Sequence, residues 1–196
     1  MDEKLIGRVL RASTIGYVCG TRSSEMMVPS FGAFVRTSQR DSDTEVLGLI
    51  YAIHIDDDPL VRQLIMANNM NVATIRDQRE NRMVPVEISV VNIGYRDSGR
   101  SYHALPPRPP VSLDEVYLCS DESIHEFTSR LDFFRLVLNT SEVPTEELLA
   151  AALKLAAAAR PMGERRDFLV TAGRRLAQLL SHDLTRLNHL LRLIRP

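Results

Sequence analysis

The first half of the chain alternates short apolar stretches with turn signals, and this pattern predicts β-strands. The strongest strand signals are Glu45–Ile55 and Val86–Tyr95, which are apolar, rich in β-branched residues and short. Weaker strand candidates are Ile6–Arg11, Gly16–Gly20, Phe31–Thr37, Tyr102–Leu105 and Val111–Cys119. Because glycines inside strands often mark bulges and bends, and a Gly lies within or beside most of these strands, the pattern predicts a closed barrel or a sandwich.

One segment interrupts the strands. Pro59–Asn69 has apolar residues at helical spacing with Pro at the first helical position, which predicts a short inserted helix, followed by a polar loop at Asn71–Arg82. Asp56, Asp57 and Asp58 precede it. Three carboxylates can bind Mg²⁺ or Ca²⁺, but adjacent residues of an extended segment point in different directions, which favours a helix cap over a metal site.

The clearest break in the chain is Pro106–Pro110, where four of five residues are Pro. Such a segment excludes a helix interior and a central strand. From about Ser123 onward the apolar residues recur every three or four positions, which predicts about three helices. The sequence therefore predicts an α+β chain with a barrel at 1–105, a Pro-rich exit segment at 106–122 and a helical domain at 123–196.

The last predicted helix, from Glu164 to about Ile194, carries a stripe of mostly Leu residues. Steps of three and four residues separate its members, which are Leu176, Leu180, Leu184, Leu187, Leu191 and Ile194. A stripe of this kind needs a partner surface. Two interpretations stay open: packing on the two preceding helices, or a docking surface for another protein or a second copy.

Three features of the charged residues bear on function. The formal net charge of -1 argues against bulk binding of nucleic acid. All basic residues except Lys4 and Lys154 are Arg, whose planar guanidinium suits interfaces. Residues 111–150 are mainly acidic and residues 164–196 are rich in Arg, which predicts either complementary packing of the helices or a basic docking face on the last helix.

The sequence predicts no catalytic, cofactor or metal site. Two cysteines, Cys19 and Cys119, do not make a disulfide scaffold, and buried thiols in a reducing, cytoplasmic protein are the simpler interpretation. His182 and His189 lie on one predicted helix, but Arg186 stands between them and no His pair has zinc-site spacing. We find neither a signal-peptide pattern nor an apolar run approaching the ~18 residues of a membrane helix.

The N-terminal half resembles the HAS-barrel, the small β-barrel of HerA-type ATPases and of F-type ATP synthase subunits. The matching segments are IGRVLRAST (Ile6–Thr14), VPSFGAFVRT (Val28–Thr37), EVLGLIYAI (Glu45–Ile53) and VVNIGY (Val90–Tyr95). The segment Leu105–Ile124 resembles the exit from such barrels. The resemblance covers roughly the first 120 residues and implies a six-stranded barrel.

The chain departs from the family after the barrel. HerA-type proteins continue into a RecA-like motor, whereas only helices are predicted here. A P-loop needs Gly-x4-Gly-Lys-Ser/Thr to hold phosphates, and the Gly-rich segment Gly16–Ser23 lacks both the spacing and the Lys. In the family the barrel aids ring assembly and offers a contact surface to a nuclease. The resemblance therefore implies a non-enzymatic interaction or assembly module that binds a ring ATPase, a HerA-associated nuclease or another copy.

The alternative is a single-stranded nucleic-acid-binding barrel. Small barrels of the OB type stack bases on aromatic rings and hold phosphates with Arg. The candidate contacts for this alternative are Arg96, Arg100 and Tyr102. The further candidate rings are Tyr17, Phe31, Phe34 and Tyr95. The apolar flanks of Phe31 and Phe34 equally predict a place in the barrel core.

Overall fold

The computed structural model describes residues 4–23, 29–38, 43–55, 84–141 and 143–195. The predicted helix Pro59–Asn69, the predicted loop Asn71–Arg82 and the carboxylates Asp56, Asp57 and Asp58 lie outside the described residues.

Seven strands lie in the described ranges, and every pairing between them is antiparallel. They are β1 (Leu5–Ala12), β2 (Gly16–Ser23), β3 (Phe34–Ser38), β4 (Glu45–Ile55), β5 (Val84–Asp97), β6 (Arg100–Tyr102) and β7 (Glu115–Leu118). The strand order is β2-β1-β7-β3-β4-β5, and pairing of β2 with β5 closes this ring. The predicted six-stranded barrel is therefore confirmed, and β6 is an extra strand on β5.

The strand that completes the barrel follows the Pro-rich break. β7 pairs with β1 on one side, where Val116 lies opposite Gly7, and with β3 on the other, where Val116 lies opposite Thr37. The strand predicted within Val111–Cys119 is thus confirmed. Residues more than 100 positions apart must meet before the ring can close.

Five helices follow within the described part of the chain. They are α1 (Asp121–Phe127), α2 (Phe134–Leu138), α3 (Thr145–Ala158), α4 (Arg165–Leu179) and α5 (Leu184–Leu193). The side chain of Ser120 accepts a hydrogen bond from the Ser123 N–H and so caps α1. α3 is central, because it contacts each of the other four helices and also β4.

The long helix predicted from Glu164 to Ile194 is two helices. α4 ends at Leu179, and the Asp183 carboxylate accepts the backbone N–H of Arg186 at 3.0 Å, which starts α5 anew. The turn at residues 180–183 allows both α4 and α5 to contact α3, which a single straight helix of that length does not permit.

Two hydrophobic clusters organise the molecule. One fills the barrel and includes Val9, Tyr17 and Ile88. The other lies between the outer face of β3, β4 and β5 and the helices, and joins residues such as Leu49 to Leu153. The barrel and the helices therefore share a core.

Gly32 permits the close approach of α3 to the barrel. Its φ is +81°, a conformation that favours glycine, and a Cβ at this position would lie 2.5 Å from the Cβ of Ala151. The turn before β3 and the middle of α3 can touch only because residue 32 has no side chain.

Candidate interaction surface

Most of the Leu stripe lies in the shared core. Leu176, Leu180 and Leu187 are buried, as is Ile194, while Leu191 is half-buried against the same cluster. Leu184 is 64% exposed. Packing on the preceding helices, one of the two open interpretations, accounts for all members except Leu184, which alone of the five Leu is exposed for a partner.

Opposite charges meet between the helices. Glu146 of α3 forms an ion pair with Arg186 of α5. The Glu147 carboxylate lies 3.2 Å from the imidazole of His189, one turn beyond Arg186 on α5. Outside α3, Asp132 pairs with Arg175 of α4 at 3.0 Å. These pairs show the complementary packing that the acidic and basic halves of the helical region predicted.

The three candidate nucleic-acid contacts lie on the β5–β6 hairpin, but Arg96 is on the opposite face from Tyr102, since it alternates with Tyr95 along β5. The Tyr95 and Tyr102 rings stack at 4.9 Å and Arg100 is exposed. Arg96 is largely buried and donates to Glu45 at 3.1 Å and to Glu126 at 3.0 Å. Phosphate binding by Arg96 would have to displace two carboxylates.

Arg96 belongs to a chain of polar contacts that crosses the outside of the barrel, which we call the polar belt. It runs from β1 over β7, β3, β4 and β5 to α1, in the order Arg8, Glu115, Tyr117, Arg36, Glu45, Arg96 and Glu126. The contacts join neighbouring strands, two side chains two residues apart on β7, and finally β5 to α1. The belt therefore couples five strands to the first helix.

Both cysteine thiols are buried, Cys19 in the barrel core and Cys119 beside the helices. Burial raises the pKa of the Cys19 thiol to about 12 and that of Cys119 to about 12, so both stay protonated at neutral pH. Among the residues that the structure describes, no three His, Cys, Asp or Glu side chains are placed to hold a metal ion.

A groove of about 370 Å³ lies between the barrel and the helices. The β1–β2 turn, Tyr51, Val90, Thr140 and Val143 contribute to its mainly apolar lining. The described lining contains no carboxylate, imidazole or thiol, and Arg11 at the groove pairs with Glu87 at 3.2 Å.

An apolar surface was missed by the sequence patterns, and it begins with a bulge in β1. Val9 lies opposite Cys19 and Arg11 lies opposite Val18, so Leu10 is an extra residue between them. Its side chain lies over Gly20, where a Cβ would be 3.0 Å from Leu10 Cδ1. Leu10 is 46% exposed.

The neighbouring turn, residues 111–114, is pinned to the bulge. The Leu113 N–H donates to the Val9 carbonyl at 2.8 Å, and Ser112 Oγ donates to the Leu10 carbonyl at 3.2 Å. The Asp114 N–H donates to the Val111 carbonyl at 3.1 Å and so closes the turn.

Leu113 has an unusual conformation within this turn. Its φ is +74°, a left-handed conformation that costs an L-residue about 1–2 kcal/mol relative to right-handed backbone. The Arg8 guanidinium donates to the Leu113 carbonyl at 3.0 Å. Leu113 is 59% exposed. This backbone conformation therefore places an aliphatic side chain in solvent.

We define the bulge–turn patch as Leu10, Val111 and Leu113, three exposed aliphatic residues on adjacent backbone segments. Arg8 and Glu115 form an ion pair at its edge at 2.5 Å. The sequence offered one usable signal, Asp114, which is a turn residue inside a predicted strand. Nothing in the sequence indicates the positive φ of Leu113, because Gly or Asn is the residue expected at such a position.

No family model matches the chain, and no curated protein matches it. Within the described residues, none of the helices has the length and apolar character needed to cross a membrane.

Proposed function

We propose that the chain is a non-enzymatic protein-interaction module that docks through the bulge–turn patch. The observation that carries the proposal is Leu113, an aliphatic side chain held in solvent by a strained backbone. Strain at an exposed position points to function, because glycine in the same turn would be lower in energy. Exposed aliphatic groups beside an ion pair are typical of a protein-binding surface.

The resemblance to HAS-barrels supplies the candidate partners. They are a HerA-type ring ATPase, the nuclease associated with it, or another copy of this chain. The thiols of Cys19 and Cys119 are protonated, and the described part of the groove lining holds no carboxylate, imidazole or thiol, so the described residues favour binding over catalysis.

Binding of the purified chain to a HerA-type ATPase ring and to its nuclease, measured by biolayer interferometry, tests the proposal. Leu113→Gly removes the side chain and the backbone strain together, so we expect unchanged or higher thermal stability and at least about tenfold weaker binding. Leu184→Asp is the matched control, since it alters an equally exposed Leu outside the patch.

Two results would contradict the proposal. Binding that Leu184→Asp abolishes and Leu113→Gly leaves intact would move the interface to the helices. Robust ATP hydrolysis by the purified chain would overturn the non-enzymatic assignment.

Nucleic-acid binding is the second candidate, favoured only by the stacked Tyr95 and Tyr102 rings beside exposed Arg100. Salt-dependent binding of a single-stranded oligonucleotide that is lost in the Arg100→Ala variant would support it. Since Arg96 is already bound by Glu45 and Glu126, we rank this function below protein docking.

A further inference from the structure

The edge of the bulge–turn patch carries one charge of each sign. Arg8 of β1 lies opposite Glu115 of β7 in the sheet, and both side chains are nearly half exposed. An apolar patch with an ion pair at one edge can be complementary to itself, because a two-fold axis that passes through the edge places Arg8 of one copy beside Glu115 of the other.

We propose, resting on the proposed function, that a second copy of this chain covers the bulge–turn patch in a two-fold contact. Leu113 and Leu10 of each copy pack against those of the other, and Arg8 of one copy shares Glu115 of its partner. Arg8 is placed for this role, because it already donates to both the Leu113 carbonyl and Glu115.

The size of the patch sets the expected strength of the contact. Three partly exposed aliphatic residues per copy supply much less area than the about 800 Å² per partner of a standard stable interface. The dimer is therefore weak and depends on protein concentration. A partner that binds the bulge–turn patch more tightly can displace the second copy.

Sedimentation velocity of the full chain over a wide concentration range measures this equilibrium. We expect a monomer–dimer equilibrium whose dissociation constant rises at least about tenfold in Leu113→Gly, as for loss of a central contact. The variant keeps the turn, and a melting temperature at or above that of the original chain shows that the fold is intact.

Charge exchange supplies a sharper test. Arg8→Glu alone makes both flanking charges negative, and Glu115→Arg alone makes both positive, so each variant is expected to stay monomeric. Both variants lose the same ion pair within the chain. Arg8→Glu also loses the hydrogen bond to the Leu113 carbonyl, and Glu115→Arg loses the one from the Tyr117 hydroxyl, so the melting temperature of each variant is measured beside its sedimentation. An equimolar mixture of the two is expected to dimerise, because every cross-contact in the mixed dimer joins opposite charges. The double variant on one chain restores self-association.

The outcomes separate this inference from the proposed function. A chain that stays monomeric throughout, or a dimer indifferent to Leu113→Gly and to charge exchange, overturns the two-fold contact. In either case the proposed function survives if Leu113→Gly weakens binding to the ATPase or the nuclease. If the chain binds neither the ATPase nor the nuclease but forms a dimer that depends on the patch, self-association is the function of the patch.

Discussion

His103 is a buried imidazole where the barrel meets the helices. Its Nε2–H donates to the Phe127 carbonyl at 3.1 Å, and its ring packs on Phe127 and Phe133. Nδ1 has no hydrogen-bond partner among the described residues. Burial lowers the pKa of His103 below its ordinary 6.5, with Arg130 acting in the same direction, while the Phe127 carbonyl and Asp132 oppose the shift. The folded chain therefore disfavours the protonated form of this imidazole.

The pH dependence of stability follows from this residue. Below pH 6.5 the unfolded imidazole binds a proton that the folded one does not, so the free energy of unfolding decreases as pH falls towards the lowered pKa. In His103→Gln the side-chain amide N–H can replace Nε2–H as the donor to the Phe127 carbonyl, and residue 103 no longer titrates. We expect the stability of the original chain relative to this variant to fall between pH 7 and about pH 5, measured by urea denaturation.

Titration of Asp132 does not contribute to the difference in stability between the original chain and His103→Gln. A hydrogen bond from Arg130 lowers the pKa of this carboxyl below 3.8, so it stays ionised throughout that window. Parallel stability curves for the two chains would show that His103 is not the titrating group.

The polar belt acts at the scale of elements, because it links strands that are distant in sequence. Glu45 of β4 is its central carboxylate and accepts from Arg36 of β3 at 2.7 Å and from Arg96 of β5 at 3.1 Å. All three side chains are at most a quarter exposed. Charged hydrogen bonds in such a setting are worth more than those of surface pairs.

Replacing the shared carboxylate tests the belt. Glu45→Gln should lower the free energy of unfolding by about 1.5–3 kcal/mol, the usual contribution of hydrogen bonds to charged groups. Glu87→Gln is the matched control, since Glu87 pairs with Arg11, which is 66% exposed, and should lose less than about 1 kcal/mol. Urea denaturation gives both values, and equal losses would mean that the belt is no stronger than a surface ion pair.

The sequence predicts the presence and type of a strand or helix better than it predicts where the element ends and what it contacts. β4 has the predicted bounds, because β-branched alternation and flanking turn residues are local properties. The break between α4 and α5 was missed, because the Leu spacing continues through residues 180–183 without Gly or Pro. Asp183 was its one local signal. The bulge–turn patch was missed for a different reason: it depends on the pairing of β1 with a segment about 100 residues away.

At the scale of the whole molecule, the shared core joins what the sequence suggests are separate units. Leu49 and Ile93 come from strands, and Phe134, Leu148 and Leu176 come from helices, yet all five belong to one buried cluster. Neither part buries these residues without the other.

The chain should therefore unfold as one unit. We expect a single calorimetric transition with equal calorimetric and van't Hoff enthalpies, because separating barrel from helices exposes the shared core of both. Two resolved transitions would instead support independent units with a boundary at the predicted exit segment 106–122.

Closure by β7 also sets when the barrel can form during synthesis. β1 leaves the ribosome early, but its second neighbour is made more than 100 residues later. At about 5–20 residues per second the nascent strand waits roughly 5–20 s with one edge unpaired. Unpaired edges attract other strands, so the nascent chain is most exposed to misassembly and to chaperones in that interval. The Pro-rich segment comes just before β7. Its stiff backbone limits the conformations that the chain must sample before β7 pairs with β1.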